Sequence, residues 1–539
     1  MKDLKLVFVI GVLVSGAVGA MGGCSGGSGT ASSGGSSGSS GGTTGASGGS
    51  PGSGGRGSGG SAASGGAVGT GGHASGGNSA SGGSSASGGS TASGGTTGSG
   101  GIASGGATAS GGSTATGGKG SGGAASGGAT ASGGQTGSGN AGGAVATGGK
   151  SGGGASGSAG SSGTPHWVGT WTASPYYDTN TSNAPPVSLS NTVIRQIAHV
   201  SLGGSQIRVQ FSNLQSNSSL EIKAAHIALC KATPAVDSTI DTTTDKALAF
   251  SGMASVTIAQ GKEVWSDPID FALPALGNLT ITTAFGSVPS MVTSHSGSRT
   301  TSYIKSGTDV SPASLTGTGV TTVEHWYAIS GVDVMADASA RGVVAIGDSI
   351  TDGRGTDTDH NNRWTDVLAS RLQMNAATMN VSMMNQGIGG SLLTGAAPSA
   401  QSRYARDVLG QSGVKYVIVL DGVNDIANGT SVDALKSAYM SLISMAHAKN
   451  LLIYGATITP FGGDAMYASH DSVRVQANAF IKSGVFDGVI DFDAALTDGG
   501  NPAKLQEMYA KWSMEDGLHP SPAGYQKMGE TPDLTMFTK

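Results

Sequence analysis

The sequence predicts an α/β protein with a parallel sheet covered by helices on both faces, preceded by an all-β sandwich or jelly-roll-like region and, before both, a long Gly/Ser-rich tail. Three observations predict it. Of the 97 glycines in 539 residues, 58 lie between Cys24 and Gly163. From Trp167 to about Val334 apolar residues recur with period two, the pattern of half-buried antiparallel strands. After Arg341 short β-rich runs alternate with helical stripes, which calls for parallel strands joined by crossover helices. The boundaries read as 1–23 for an export segment, 24–163 for the tail, 165–338 for the β region and 339–539 for the α/β domain.

The first segment carries Lys2 and Lys5, an apolar stretch from Leu6 to Ala20 and then small residues, the order found in an export signal peptide. Met21-Gly22-Gly23-Cys24 resembles the lipobox of bacterial lipoproteins, with Met where Leu is usual, and implies lipidation of Cys24. That reading puts the protein on a membrane at the cell surface or in the periplasm; cleavage near Ala20 instead leaves a secreted, soluble protein. The 140 residues from Cys24 to Gly163 hold one Pro, three charges (Arg56, Lys119, Lys150) and no Phe, Trp or Tyr, so they have nothing with which to build a core. Ala-Ser-Gly-Gly recurs there without the period of a solenoid or collagen. The segment reads as a disordered linker with a reach of roughly 60–70 Å, or alternatively as an adhesive or glycosylated stalk.

The remaining 376 residues contain 23 Lys plus Arg and 32 Asp plus Glu, a net charge of −9. An acidic body without a basic cluster argues against nucleic acid or anionic lipid as its main partner. Cys230 is the one cysteine besides Cys24, so after lipidation no intramolecular disulfide is available, and Cys230 reads as a small buried hydrophobe.

In the β region Ile207, Val209 and Phe211 alternate with Gln206, Arg208, Gln210 and Ser212, and Leu220, Ile222 and Ala224 alternate with Glu221 and Lys223. Further β segments are expected at Ala254–Ile258, Leu279–Thr283 and Thr322–Ile329. The strands of the α/β domain are expected at Gly342–Ile346, Asn380–Met384, Tyr416–Leu420, Leu451–Tyr454 and Gly488–Asp491. Between them Trp364, Val367, Leu368 and Leu372 form one helical stripe, and Leu435, Tyr439, Leu442, Ile443 and Ala446 form another, opened by a capping pair, Thr430 and Asp433.

Ligands of parallel sheets bind beyond the carboxyl ends of the strands, so the residues after each run are the ones to inspect. They are Gly347-Asp348-Ser349-Ile350-Thr351-Asp352-Gly353, then Asn385-Gln386-Gly387-Ile388-Gly389-Gly390, then Asp421-Gly422-Val423-Asn424-Asp425, with Asp516-Gly517-Leu518-His519-Pro520 near the end. Singly these pass for turns. Together, at one edge of a sheet, they hold the parts of acyl transfer: a hydroxyl (Ser349), a base (His519), a carboxylate to orient the base (Asp516), and oxyanion donors in the N–H of Ser349, the N–H of Gly390 and the Asn424 amide. Asp348, Asp352, Asp421 and Asp425 read as turn caps. Arg354 is a candidate for lining a pocket, and Trp364 reads as core sooner than as pocket.

These four blocks resemble those of the SGNH, or GDSL-type, hydrolases over about residues 341–530, with Ile350 in place of the usual Leu. The resemblance implies a flavodoxin-like three-layer fold, Ser349 as nucleophile, Asp516 and His519 as its partners, and Ser349, Gly390 and Asn424 as the oxyanion hole. Gly389 is a near competitor of Gly390, which keeps the family's five-residue step from Asn385. Trp167-Val168-Gly169-Thr170-Trp171 and Ser201-Leu202-Gly203-Gly204 resemble the β region that precedes the hydrolase domain in extracellular bacterial members. Acetylesterases of xylan or pectin and lipases of broad taste both occur in the family.

Other chemistries fit less well. Gly-x-Ser-x-Gly occurs in the tail, as at Gly38–Gly42, but without the strand and helix of a nucleophile elbow. No His-Glu-x-x-His or paired-Cys spacing suggests a metal, no cofactor is implied, and His199, His226 and His325 read as satisfied residues of β segments. The sequence therefore points to a surface serine esterase acting on acylated carbohydrate or another small ester, with a broad lipase as alternative and a glycan-binding adhesin as the reading of another class. For the β region itself, a wall of the active-site cleft stands against a glycan-binding module.

Overall fold

The structure, a computed structural model, describes residues 163–539 apart from 179, 181–182, 233–235, 397 and 512–514. The export segment, Cys24 and the linker as far as residue 162 lie outside the described residues.

The β half contains two antiparallel sheets. Its strands are β1 (His166–Thr172), β2 (Thr192–His199), β3 (Gly204–Ser212), β4 (Leu220–Leu229), β5 (Lys246–Ala247), β6 (Val256–Ile258), β7 (Glu263–Trp265), β8 (Ile269–Leu273), β9 (Asn278–Phe285), β10 (Ser294–His295), β11 (Ser302–Ser306), β12 (Val320–Val323), β13 (Trp326–Tyr327) and β14 (Ile329–Ala336). One sheet runs β6-β4-β9-β2-β11-β12, with β5 beside β4; the other runs β7-β3-β14-β1, with β8 beside β3; β10 and β13 form a separate pair. Ile194, Ile227 and Ile281 of the first sheet and Ile207, Val209, Phe211 and Val332 of the second belong to one buried cluster, so the two sheets share a core. The period-two pattern of β3 is the cause: Ile207, Val209 and Phe211 are buried while Gln206, Arg208 and Gln210, on the other face, are half-buried.

Three expectations change here. In β4 the buried set shifts from Ile222 to Ala225, leaving Ala224 half-buried, because the register against β9 breaks between Ala284 and Phe285 and such a bulge flips the faces. The expected single segment Thr322–Ile329 is three elements, and His325 falls in the gap between β12 and β13 rather than in a strand. Cys230 is half-buried, not buried; it follows the end of β4 at Leu229 and forms an isolated bridge to Ile240.

The α/β half carries a five-stranded parallel sheet of β15 (Arg341–Gly347), β16 (Val381–Gly387), β17 (Val414–Leu420), β18 (Leu452–Ala456) and β19 (Gly488–Ile490), in the order β16-β15-β17-β18-β19. This is the 2-1-3-4-5 order of flavodoxin-like sheets. One face packs the cluster of Val344, Val417, Val419, Leu435, Leu442 and Ile453, and the other that of Val343, Ile418, Trp364, Leu368, Leu372 and Tyr525. The helices that matter below are α1 (Ser349–Asp352), α2 (Trp364–Met374), α3 (Ala400–Asp407), α4 (Val423–Ala427), α5 (Val432–His447), α6 (Asp471–Ile481), α7 (Phe492–Leu496), α8 (Glu507–Ala510) and α9 (Pro522–Glu530). In α5 the cap is Ser431, which accepts from the Ala434 N–H, and not Thr430; Asp433 stands in the first turn, where its charge suits the helix dipole. Trp364 is fully buried and meets Phe492 edge-on, so it is core.

Both halves belong to one compact unit. Strand β16 lies at the end of the parallel sheet, and the β half covers it: Met383 N donates to Ser201 Oγ at 2.9 Å, Ser382 Oγ to the Gly169 carbonyl at 2.6 Å and Thr172 Oγ1 to the Asn385 carbonyl at 3.1 Å. An edge strand is thereby kept from pairing with other chains.

Candidate active site

In the parallel register Gly347 stands beside Gly387 and Leu420, so the segments that follow β15, β16 and β17 emerge together. From the first, Asp348 caps α1 by accepting from Ile350 N at 2.9 Å and leaves Ser349 as the first helical residue. From the second, Ser391 N donates to the Ile388 carbonyl at 3.0 Å, closing a turn around Gly389 and Gly390. Gly390 has φ of 77°, the conformation that a type II turn demands at its third residue and that glycine adopts without strain. From the third, Asn424 lies in the first turn of α4, anchored by buried Val423 and Ile426.

His519 comes from the segment before α9, whose turn is tied by buried Leu518 and by Asp516 Oδ1, which accepts from His519 N at 2.9 Å and Leu518 N at 3.1 Å. The same carboxylate, through Oδ2, faces His519 Nδ1 at 2.7 Å, and His519 Nε2 faces Ser349 Oγ at 2.7 Å. A carboxylate only accepts, so Nδ1 carries the ring proton and Nε2 is left as the acceptor for the serine hydroxyl. Partial burial pushes the Asp516 carboxyl up, but its bonds from the His519 ring and backbone and the ring's charge outweigh this and hold it down at about 2. It is therefore ionised throughout the ordinary working range.

The Asn424 amide is oriented at both ends. Its Nδ2 donates to the Ser391 carbonyl at 2.9 Å, and its Oδ1 accepts from the Tyr467 hydroxyl at 3.1 Å. A carbonyl partner fixes which end is the amino group. One Nδ2 hydrogen is engaged by Ser391, and the other remains for an oxyanion.

Ser349, His519, Asp516, Asn424, Gly389 and Gly390 all line one cleft of about 710 Å³. The opposite wall belongs to the β half and includes Tyr176, Asp178, Arg299, Glu324 and His325. Arg354 lines the same cleft, its Nε 3.9 Å from Asp516 Oδ2. His199 meets Asn278 Oδ1 at 2.8 Å and His226 meets Asp245 Oδ2 at 2.9 Å. His325 differs from them: it borders the cleft, with Nδ1 2.7 Å from the Ser296 carbonyl. Among the described residues no group of three or more His, Cys, Asp or Glu is arranged to hold a metal.

Of the four aspartates expected as turn caps, Asp348 caps α1 and Asp421 accepts from Gly422 N at 2.8 Å. Asp425 instead ties a distant loop, accepting from Leu393 N at 2.6 Å and from Thr394 N and Oγ1 at 3.0 and 2.7 Å. Asp352 caps nothing; its carboxylate turns to the β half, where His295 Nε2 lies 2.9 Å from Oδ1. The sequence reading missed His295, Arg299, Glu324, Tyr176 and Asp178, which sit in no recurring spacing; tertiary contact alone brings them to the site.

Residues 345–527 match the model of the GDSL-like lipase/acylhydrolase family. That segment is a GDSL-like acylhydrolase domain. The chain is accordingly a carboxylic ester hydrolase. No curated protein matches it. Among solved structures, an acetylxylan esterase from Geobacillus stearothermophilus is 21% identical over 35% of this chain and 91% of its own, with a TM-score of 0.28. A member of the lipolytic protein G-D-S-L family from Veillonella parvula DSM 2008 is 21% identical over 37% of this chain and 100% of its own, also with a TM-score of 0.28.

Proposed function

We propose that this acylhydrolase is a serine esterase that removes short acyl groups, acetyl above all, from carbohydrate or another polar alcohol by way of an acyl-enzyme. The observation that carries the reading is the line from Ser349 Oγ to His519 Nε2 to Asp516 Oδ2, each step 2.7 Å, opening into a cleft with a polar far wall. Ser349 Oγ adds to the ester carbonyl carbon while its proton passes to His519 Nε2. Charge on the former carbonyl oxygen is met by the N–H groups of Ser349 and Gly390 and by Asn424 Nδ2. Collapse breaks the bond to the leaving alkoxide, which takes the proton from Nε2 and departs as the alcohol. Water then gives a proton to the same nitrogen, adds to the acyl carbon and releases the acid and free Ser349. Asp516 holds the tautomer through both halves of the cycle.

The carboxylates, guanidinium and imidazole of Asp178, Glu324, Arg299 and His325 suit a hydroxyl-rich leaving group better than a lipid chain. With an export segment at 1–23 and a lipid anchor at Cys24, the enzyme would work at the cell surface or in the periplasm. The test is acetate release from acetylated xylan by the full chain, beside hydrolysis of nitrophenyl esters from acetyl to decanoyl, with S349A as the control for contaminants. A steep fall in rate beyond butyryl together with acetate release is expected. Inert xylan with a preference for long acyl chains would reassign the protein to the lipases, and retention of S349A on xylan without turnover by wild type would favour the adhesin.

The oxyanion assignment carries its own expectation. N424A removes the oriented donor, and kcat falls by about 10²–10³-fold with KM little changed. Y467F removes only the hydroxyl that steadies Oδ1, and a loss of roughly tenfold or less is expected. Steady-state kinetics on nitrophenyl acetate measure both.

A further inference from the structure

Helix α1, which begins with the proposed nucleophile, is a single turn of four residues. So short a helix has no stability of its own, and its geometry is whatever its surroundings impose. Its C-terminal end is held from several directions. Asn385 Nδ2 donates to the Thr351 carbonyl at 2.6 Å, and Arg363 Nε donates to the Asp352 carbonyl at 2.8 Å. The Asp352 carboxylate, 4% exposed, meets His295 Nε2 at 2.9 Å and Arg299 at 3.4 Å, both from the β half. Arg363 also donates to the carbonyls of Gly297 and Ser298, so residues 295–299 form a continuous seat for the end of the helix.

This seat is tight and itself anchored. A Cβ on Gly297 would stand 1.8 Å from Asp352 Oδ2, so only glycine lets the backbone press against that carboxylate. His295 is 5% exposed, its Nδ1 lies 3.0 Å from the Ser174 carbonyl, and its ring meets Tyr176 edge-on. Because a carbonyl only accepts, Nδ1 donates to Ser174. Burial alone pushes the Asp352 carboxyl up, but His295, Arg299 and Arg363 together bring it below its ordinary value, so the contact with His295 is charge-assisted.

We propose that His295 is a positioning residue of the esterase: acting through Asp352, it fixes α1 so that Ser349 Oγ stays in line with His519. The β half is then part of the catalytic apparatus as well as a wall of the cleft. This inference rests on the serine-esterase reading. His295 does not itself line the cleft, so its loss acts on turnover and not on substrate binding. A displacement of about 1 Å at a nucleophile is enough to cost on the order of 10²-fold in rate.

The test compares H295Q, D352N and the double variant H295Q/D352N in the full chain, using nitrophenyl acetate and counting active sites with a fluorophosphonate that labels serine nucleophiles. The expected result is a fall of about 10- to 100-fold in kcat per titrated site in each single variant, with KM within about twofold in H295Q, and no further fall in kcat in the double variant. A residue needed only for folding would lower the melting temperature and the titratable fraction but leave turnover per site intact. Should H295Q weaken the hold on buried Asp352 enough to prevent folding, the neutral pair in the double variant supplies the measurement. Wild-type turnover per titrated site in whichever of these variants folds, or an effect confined to KM, overturns the proposal. Failure of the esterase reading is separate and visible: S349A would then be labelled or remain active.

Discussion

Replacing Ser349 by alanine is expected to lower kcat on nitrophenyl acetate by at least about 10³-fold while leaving the thermal unfolding curve in place. The side chain is small, 8% exposed, and its hydroxyl is bonded to His519, so its removal opens no large cavity and leaves no buried charge. H519A is expected to cost as much, because without Nε2 neither Ser349 nor water gives up its proton. S349A/H519A together should be no worse than either alone, since the two act as a unit. D516N is the sharper variant. An amide at 516 presents a donor to Nδ1, so the ring proton moves to Nε2 and the base is lost although the geometry stays; a drop of about 10²–10⁴-fold follows. Deacylation should suffer with acylation, so no burst of nitrophenol is expected in D516N. Activity of S349A within tenfold of wild type would remove the proposed mechanism.

The parallel sheet was readable because its central strands carry apolar runs that are buried, as in Val343–Ile346 and Tyr416–Leu420. The four loop blocks were readable because a doubly wound sheet sends every strand's carboxyl end to the same edge. Their chemistry follows from residue type and place together. What the sequence concealed lies in the β half. His295 sits in a strand of only two residues among Ser and Gly, where no periodicity operates, and its partner Asp352 is 57 residues away. Asp352 belongs to a block that resembles a turn, so capping was the economical reading until the contact with the other half appeared. Ala224 failed for a different reason: its own strand carries an extra residue, Lys223, where the pairing with β9 slips, and no local pattern announces it. Ser431 and Thr430 are adjacent capping residues of similar merit, and only backbone geometry chooses between them.

Arg403 offers the second large effect. It lies on α3, 4% exposed, behind the ends of the two strands that lead into the site, donating to the Gly347 carbonyl at 2.9 Å, the Gln386 carbonyl at 2.6 Å and Asp407 Oδ2 at 3.1 Å. Asp407 keeps Arg406 as a partner and the Gly347 carbonyl keeps Ile388 N at 3.0 Å, but the Gln386 carbonyl loses its Arg403 donor. Removing a charged donor from buried carbonyls costs about 1–3 kcal/mol. R403M is therefore expected to melt a few degrees below wild type. The loss should also depend on pH. Asp348 is buried, and burial together with the nearby Asp425 and Asp352 carboxylates pushes it up to about 7; burial and Asp348 push Asp421 well above its ordinary value, and Arg403 pulls both down. A carboxyl whose value in the fold exceeds that in the unfolded chain contributes stability that is complete below the unfolded value and is lost as pH rises through the folded one. From about pH 4 to 7 these groups therefore weaken the fold as pH increases, and without Arg403 the window extends further upward. The slope of melting temperature between pH 5 and pH 8 should be more negative in R403M than in wild type. In D348N it should be less negative, because asparagine still accepts from Ile350 N and has no proton to lose. Parallel slopes in the three proteins would show that Arg403 holds the strand ends by hydrogen bonding alone and has no electrostatic hold on the acids behind the nucleophile.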